Sequence, residues 1–298
     1  MSTDIEGRVA ELFTVATSDP DGVRWIDVVQ AQHCSYLDRK CLKIRKSQPE
    51  ISIGTCSVCY GRERIPLIIC PHRLLERKQI FTDCIHLLTL HEPGNEFHIV
   101  SEITVPGGSV DYFLLSVKKG RVKDFLGIEL QTLDTTGTVW PERQRFLQSV
   151  GIKVDAQDTL SGRSFGMNWK MTAKTILVQL HHKIGTFEGM NKHLVLVIQD
   201  QLLSYMRRQF SFDHIGEARL GDPLQIHSYR FDEVGGQLRL DLSGRLSTDT
   251  AGVAASLGLQ AESMVDIEEL IAQLESKLTD RTLLSVFPVM SDEVVNTD

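Results

Sequence analysis

Two apolar segments joined by a short polar turn constrain the fold of this chain more than any other feature. Residues 110–117 (VDYFLLSV) are rich in aromatic and β-branched side chains and follow a Pro-Gly-Gly breaker at 106–108. A Lys-Lys-Gly turn at 118–120 comes next, and residues 125–132 (FLGIELQT) have a similar composition. Runs of this kind between breakers are typical of β-strands. The sequence therefore predicts two neighbouring strands, the second returning beside the first.

Polar side chains interrupt both predicted strands near one end of the pair. Asp111 begins the first strand, and Glu129 and Gln131 lie late in the second. Because side chains alternate faces along a strand, Glu129 and Gln131 share a face that Asp111 can meet. Mg²⁺ prefers one or two carboxylates plus waters and phosphate oxygens, and it activates water for attack on a phosphodiester. Gln131 cannot act as a base at neutral pH, but its amide can orient that water.

The alternative interpretation of these residues is an edge hairpin with solvated acids. Short motifs match by chance, so an acid-x-amide triplet by itself favours this alternative. The apolar setting favours the metal site, because a carboxylate within Gly127-Ile128-Glu129-Leu130 is costly to bury unless a metal or hydrogen bonds compensate it.

Six cysteines, all before residue 85, form the second group of candidate residues. Four stand beside turn or breaker residues: Cys34, Cys41, Cys56 and Cys70. The N-terminal segment MSTDIE lacks the apolar core of a signal peptide, which predicts a cytoplasmic chain with reduced thiols. Structural Zn²⁺ or Fe is then favoured over disulfides. Cys59 could replace one of the four ligands, whereas Cys84 is interpreted as a small buried apolar residue.

Several separated motifs resemble the NotI family of type II restriction endonucleases. The N-terminal motifs are CSYLDRKCLKIRKS from Cys34, ISIGTCSV from Ile51 and IICPHR from Ile68. Further motifs are PGGSVD from Pro106, GIELQTLDTTG from Gly127 and NWKMTAK from Asn168. The resemblance covers roughly residues 30–210, and several motifs in order are more specific than any one of them.

The resemblance implies an α/β fold with a restriction-endonuclease-like core of the PD-(D/E)xK superfamily. It implies that Asp111 and Glu129 bind Mg²⁺, that Gln131 occupies the position of the usual lysine, and that Glu102, on a preceding helix, is a further acidic member. The four cysteines Cys34, Cys41, Cys56 and Cys70 would bind one structural metal, which in this family is iron. The expected architecture is a mixed central sheet flanked by helices, plus a small N-terminal cysteine-rich module. The expected domains are residues 1–90 and a catalytic core with a C-terminal helical extension, residues 91–298.

Charge is distributed unevenly along the chain. The net charge is −7, yet residues 39–78 contain ten Lys and Arg against three Glu. A basic surface on the cysteine module predicts contact with DNA phosphates, and Arg45 and Lys46 are the candidate residues there. Lys170 and Lys174 lie one helical turn apart and are further candidates. The alternative in each case is a solvated face.

The remaining pattern gives a coarse order of elements. Helices are predicted at 5–16, 23–31, 74–90, 140–150, 171–187, 200–210 and 265–278, and further strands at 193–199, 223–231 and 237–242. Residues 32–71 are expected to be irregular. The adjacent His181 and His182 are interpreted as surface or core residues, since neighbours on a helix point to different faces.

These observations together predict a Mg²⁺-dependent endonuclease that cuts both strands of DNA at a short palindrome, which the family resemblance implies is GC-rich. A two-fold site predicts a homodimer, and a restriction enzyme is expected with a cognate DNA methyltransferase that is not a stable subunit. No apolar run reaches eighteen residues, so no membrane span is expected. The alternatives are a DNA-binding module without activity and a repair or recombination nuclease of the same fold.

Overall fold

A computed structural model describes residues 8–18, 23–160, 165–258, 271–272 and 275–276. The chain divides into two compact units, Met1–Leu259 and Gln260–Asp298. The helix predicted at 265–278 lies almost entirely outside the described residues. The domain boundary expected at residue 90 stays a prediction.

The N-terminal part of the first unit is built mainly from short strands. In chain order the elements are β1 Val9–Leu12, β2 Val15–Ala16, α1 Trp25–Ala31, β3 His33–Cys34, β4 Arg39–Lys40, β5 Ile44–Arg45, β6 Gln48–Ser52, β7 Thr55–Tyr60 and β8 Ile65–Ile68. A four-stranded sheet has the order β2-β1-β7-β8, and β3-β4 and β5-β6 are small hairpins. Residues 32–71 are therefore more regular than expected.

Two of the predicted helices in this part are wrong. The described part of 5–16 is the β1–β2 hairpin, because Phe13 and Thr14 adopt left-handed φ values of 49° and 69° and reverse the chain. Residues 74–90 form 3₁₀ turns at Pro71–Lys78 and Ile85–Leu87 around a short α2, Gln79–Thr82. The helix breaks at Glu76, where the carboxylate accepts hydrogen bonds from Arg73 and from the backbone N–H of Leu240.

The larger part of the unit is a seven-stranded mixed sheet with helices. Its elements are β9 Glu96–Val105, β10 Gly108–Lys118, β11 Arg121–Gln131, β12 Thr135–Thr136, α3 Trp140–Ser149, α4 Ala156–Thr159, β13 Gly166–Met167, α5 Trp169–Gly189, β14 Leu194–Gln199, α6 Asp200–Gln209, β15 Gly216–Glu217, β16 Leu224–Val234, β17 Gln237–Thr248 and α7 Thr250–Ser256. The sheet order is β15-β17-β16-β14-β11-β10-β9. Only the β11–β14 and β14–β16 pairs of this sheet are parallel. The predicted mixed α/β class and mixed sheet are confirmed.

Alternating side chains of β14 connect two hydrophobic layers. Leu194, Leu196 and Ile198 pack in one layer with α5 and α6. Val195 and Val197 pack in the other layer with the 3₁₀ and α2 segment. A strand buried on both faces has a nearly continuous apolar sequence, as LVLVIQ does. No helix in the described ranges is long and apolar enough to cross a membrane.

Helix α5 lies very close to the sheet at two glycines. A Cβ atom at Gly127 on β11 would stand 2.5 Å from the ring of Phe187. At Gly107, in the β9–β10 turn, a Cβ atom would overlap the backbone carbonyl of His182. These contacts hold the C-terminal half of α5 against the start of β10 and against β11.

Candidate active site and metal centre

Asp111 and Glu129 lie at the point where β10 and β11 stop pairing. The last antiparallel pair at this end is Tyr112 with Ile128, and the two carboxylates belong to the next residues on each strand. The Asp111 Oδ2 atom accepts a hydrogen bond of 2.8 Å from the backbone N–H of Leu130. The structure therefore brings together the two acids that the sequence analysis singled out.

Glu129 is buried, with 5% of its surface exposed, and it pairs with a lysine from α5. The Lys183 Nζ atom donates to Glu129 Oε1 at 2.6 Å and to the backbone carbonyl of Ser109 at 2.5 Å. Burial raises the pKa of Glu129 to about 7; the hydrogen bond and positive charge of Lys183 oppose this rise, and the nearby charge of Asp111 adds to it. A cation bound between these acids would relieve the unfavourable charge.

The sequence analysis did not identify Lys183. The signal was present, because Lys183 falls in the apolar stripe of α5 with Ile176, Leu180, Ile184 and Phe187, which are buried. A lysine at a core-facing position needs a buried partner of opposite charge. Neither strand nor helix periodicity reveals that the partner is Glu129, 54 residues earlier.

Gln131 is partly buried at the end of β11. Strand alternation puts it on the face of Glu129. Its Nε2 atom donates to the carbonyl of Thr132 at 2.7 Å. The amide therefore has a local partner, and its Oε1 atom accepts no hydrogen bond from a described residue.

The expected placement of Glu102 on a helix is wrong. Glu102 lies in β9, opposite Asp111 in a register fixed by the flanking pairs Val110 with Ile103 and Tyr112 with Ser101. The segment EFHIVSEITV is rich in β-branched residues, which favours a strand. Glu102 is exposed and has a left-handed φ of 57°. Burial lowers the pKa of His72, and the positive charge of Arg39 lowers it further. The negative charges of Asp111 and Glu102 oppose this change.

The four cysteines of the predicted metal site are neighbours. Burial raises the pKa of the Cys56 thiol, and the charges of Cys70 and Cys34 add to this rise. Burial likewise raises the pKa of Cys70, with contributions from Cys41 and Cys34. The Cys56 carbonyl accepts the N–H of Cys70 at 3.2 Å. Nevertheless, the described residues contain no group of three or more His, Cys, Asp or Glu side chains arranged to hold a metal ion.

The other two cysteines lie apart from this group. Cys59 follows Cys56 by three positions on β7, so its side chain points to the opposite face, and the charges that act on it belong to Arg64, Glu233 and Arg8. Cys84 is fully buried, and its Sγ atom is 3.7 Å from His227 Nδ1. The positions of these two residues favour Cys34, Cys41, Cys56 and Cys70 as the ligand set.

The predicted DNA-contact residues fall into two groups. Arg45 forms two hydrogen bonds to the Asp158 carboxylate, at 2.8 and 3.1 Å, and stacks on Trp140. Its guanidinium therefore has an intramolecular role in this structure. Lys46, Lys170 and Lys174 are exposed and are available to a phosphate backbone. On α5, His182 is exposed and His181 is partly buried, and neither forms a hydrogen bond to Asp111 or Glu129.

Comparisons with known proteins add no assignment. No protein-family model matches this sequence, and no curated protein matches it.

Proposed function

We propose that the protein is a Mg²⁺-dependent type II DNA endonuclease that hydrolyses both strands at a short, GC-rich palindrome. The observation that carries this proposal is the meeting of Asp111 and Glu129 at the end of the β10–β11 ladder, with Lys183 beside them. Glu129 is buried at this strand end, Asp111 is partly buried, and carboxylates in such surroundings are candidates for a functional site. The resemblance to the NotI family supports a restriction-endonuclease-like core for the mixed sheet.

Asp111 and Glu129 fit a hard divalent cation. Two carboxylates are the usual protein contribution to a Mg²⁺ site that also binds substrate phosphates. When bound there, Mg²⁺ would lower the pKa of a water molecule and neutralise charge on the phosphate. Glu129 Oε2 accepts no hydrogen bond from any described residue, so this oxygen is available as a ligand.

The protein side chains would then bind and orient the reactants. Gln131 holds the attacking water through its free amide oxygen. The water oxygen forms a bond to phosphorus, the bond from phosphorus to the leaving sugar oxygen breaks, and the proton lost from water is balanced by one gained by that oxygen. Glu102, exposed on the neighbouring strand, would add negative charge at the entrance to the site.

The cysteine module would support DNA binding. We assign one structural Fe or Zn to Cys34, Cys41, Cys56 and Cys70, since a structural metal would draw these neighbouring thiols into a closed site. The exposed cations Lys46, Lys170 and Lys174 would contact phosphates. A cytoplasmic homodimer with one active site per strand fits a palindrome, and a separate methyltransferase would protect the host DNA.

A cleavage assay with matched variants tests this function. Supercoiled DNA would be incubated with the protein and Mg²⁺, and separately with Mn²⁺. The wild type should give defined linear fragments, and Asp111→Ala or Glu129→Gln should abolish cleavage while DNA binding is retained. Glu96→Gln is the control, because it removes an exposed acid from the far end of β9. Cleavage by Asp111→Ala at the wild-type rate would refute the assignment.

A further inference from the structure

The buried amine of Lys183 has an unused donor at the candidate active site. An ammonium group carries three N–H donors. Two of them bind Glu129 Oε1 and the Ser109 carbonyl. No other acceptor for Lys183 exists among the residues that the structure describes. The side chain is 7% exposed, and its two hydrogen bonds hold the amine beside Glu129.

A second ion pair, between the partly buried Lys192 and the buried Asp124 of β11, shows what a purely structural pair looks like here. Lys192 donates to Asp124 Oδ1 at 2.5 Å, near the other end of β11. The Asp124 carboxylate also accepts the N–H of Leu90 at 2.8 Å and that of Phe125 at 2.9 Å, so both of its oxygens are bonded. Glu129, in contrast, receives a bond at one oxygen only. The Lys183 pair therefore retains both a free donor and a free acceptor.

The position of Lys183 is set by the close approach of α5 to the β9–β10 turn. Gly107 allows this approach, because any side chain there would meet the backbone of His182 and Lys183. Thr186, one turn further along α5, donates to the carbonyl of Pro106 at 2.9 Å. These contacts fix the helix backbone on both sides of Lys183, which is the preorganisation that a charge-stabilising group requires.

We propose that Lys183 is a catalytic residue that donates a hydrogen bond to a non-bridging oxygen of the scissile phosphate. This inference rests on the proposed nuclease function and deepens it. Gln131 is neutral, so it cannot supply a positive charge, and its Nε2 atom is bound to Thr132. Lys183 supplies that charge from the helix. It keeps all its protons during the reaction, while negative charge on the phosphate oxygens increases as the new P–O bond forms and the old one breaks.

The test compares Lys183→Met with Lys192→Met, which removes the structural lysine pair of the same strand. Single-turnover cleavage by Lys183→Met should be slower by about 10²- to 10³-fold, the usual effect of removing one preorganised donor. Lys192→Met, measured at a temperature where it is folded, should cleave within about threefold of the wild type. Calorimetric titration with Mn²⁺ in the absence of DNA should show that Lys183→Met still binds the metal through Asp111 and Glu129.

Chemical rescue separates a catalytic amine from a structural one. Ethylammonium added to Lys183→Ala should raise the cleavage rate at least tenfold, and tetramethylammonium at the same ionic strength should not, because it has no N–H donor. Absence of rescue, or near wild-type cleavage by Lys183→Met, would overturn the role of Lys183. The proposed nuclease function is tested separately by Asp111→Ala. A wild-type protein that binds Mn²⁺ yet cuts no DNA would instead refute the nuclease function itself.

Discussion

Burial changes the proton affinity of single residues in opposite directions at two places in this molecule. It raises the pKa of Glu129 to about 7 and lowers the pKa of His227 to about 3. In each case the low-dielectric interior disfavours the charged form. His227 is fully buried, and the charges of Arg245 and His86 also disfavour its protonation. Glu129 belongs to the proposed cation site, whereas His227 is a core residue that is held in its neutral form.

His227 should make the protein sensitive to acid. Its pKa is 6.5 in an unfolded chain and about 3 in the folded protein, so the unfolded state binds more protons between these values. Stability is therefore complete above pH 6.5 and is lost as the pH falls towards 3. Two pH units below 6.5, the loss attributable to this group is on the order of 2–3 kcal/mol.

Thermal unfolding at pH 4.5 and 7.5 measures this effect. His227→Gln should show a smaller difference between the two melting temperatures than the wild type. His98→Gln, an exposed histidine on β9, should leave the difference unchanged. Equal pH dependence in the wild type and in His227→Gln would contradict the prediction.

At the scale of single residues, the sequence predicted the two acids, Asp111 and Glu129, but did not reveal the amine of Lys183. Asp111 and Glu129 stand out because carboxylates interrupt apolar strands, and a two-residue period is readable without a structure. The contact between Lys183 and Glu129 depends on how α5 crosses the sheet, which is a tertiary property. The contact of Arg45 with Asp158 is likewise a tertiary property that a basic local sequence does not reveal.

At the scale of elements, one crossing of a helix over a hairpin determines the site. The β9–β10 turn reaches α5 only because Gly107 has a φ of 97° and no side chain. Gly120, in the β10–β11 turn, also has a left-handed φ, of 70°, but nothing lies near its Cβ position. The two turns therefore combine similar backbone conformations with different surroundings.

Substitution of these two glycines should separate backbone strain from steric overlap. Gly120→Ala should cost about 1 kcal/mol, which is the usual penalty for an L-residue in left-handed backbone. Gly107→Ala should cost more and should also slow cleavage, since α5 must move and takes Lys183 with it. Chemical denaturation and the cleavage assay give both quantities. Equal stability and activity in the two variants would show that the approach of α5 at Gly107 is unimportant.

Short strands and turns around β7 carry the four cysteines of the proposed metal site, Cys34, Cys41, Cys56 and Cys70. Purified protein should contain about one Fe or Zn per chain. Cys34→Ser and Cys56→Ser should lose the metal and melt at a lower temperature, whereas Cys59→Ser should retain it, because that side chain points away. Elemental analysis with thermal melting measures both. Wild-type protein without metal, or metal loss in Cys59→Ser alone, would contradict the assignment.

Elements with strong periodicity were predictable, and those defined by single backbone conformations were not. Strands β10, β11 and β14 and helices α3, α5 and α6 occupy the predicted segments. The β1–β2 hairpin was missed because its turn uses non-glycine residues in left-handed backbone. The break at Glu76 and Arg77 was missed because their non-helical backbone accompanies hydrogen bonds that the Glu76 carboxylate accepts from Arg73 and from distant Leu240.

At the scale of the whole molecule, the negative net charge means that the proposed binding of DNA would need a local basic surface. The net charge is −7, so attraction to DNA must come from exposed cations in particular regions. Lys170 and Lys174 lie on the outer side of α5, the helix that also carries Lys183. Lys183 is buried on the opposite face of the helix, so Lys170 and Lys174 would attract DNA to the outer face of α5.

Salt dependence of binding tests whether α5 follows the DNA backbone. Lys170→Ala combined with Lys174→Ala should weaken binding to any DNA sequence and reduce the salt slope by about one per lost contact. The control pair, Lys119→Ala with Lys123→Ala, removes the same charge from the opposite end of β10 and β11. An equal effect of both pairs on the slope would indicate general attraction without a defined path.

We propose Asp111 and Glu129 as the active site of a site-specific DNA endonuclease. The most direct test of this proposal is digestion of a long DNA of known sequence with Mg²⁺, followed by sequencing of all ends. The proposal predicts ends at one short palindrome for the wild type and no ends above background for Asp111→Ala. Intact DNA after digestion with folded wild-type protein, or the same ends with Asp111→Ala, would contradict it.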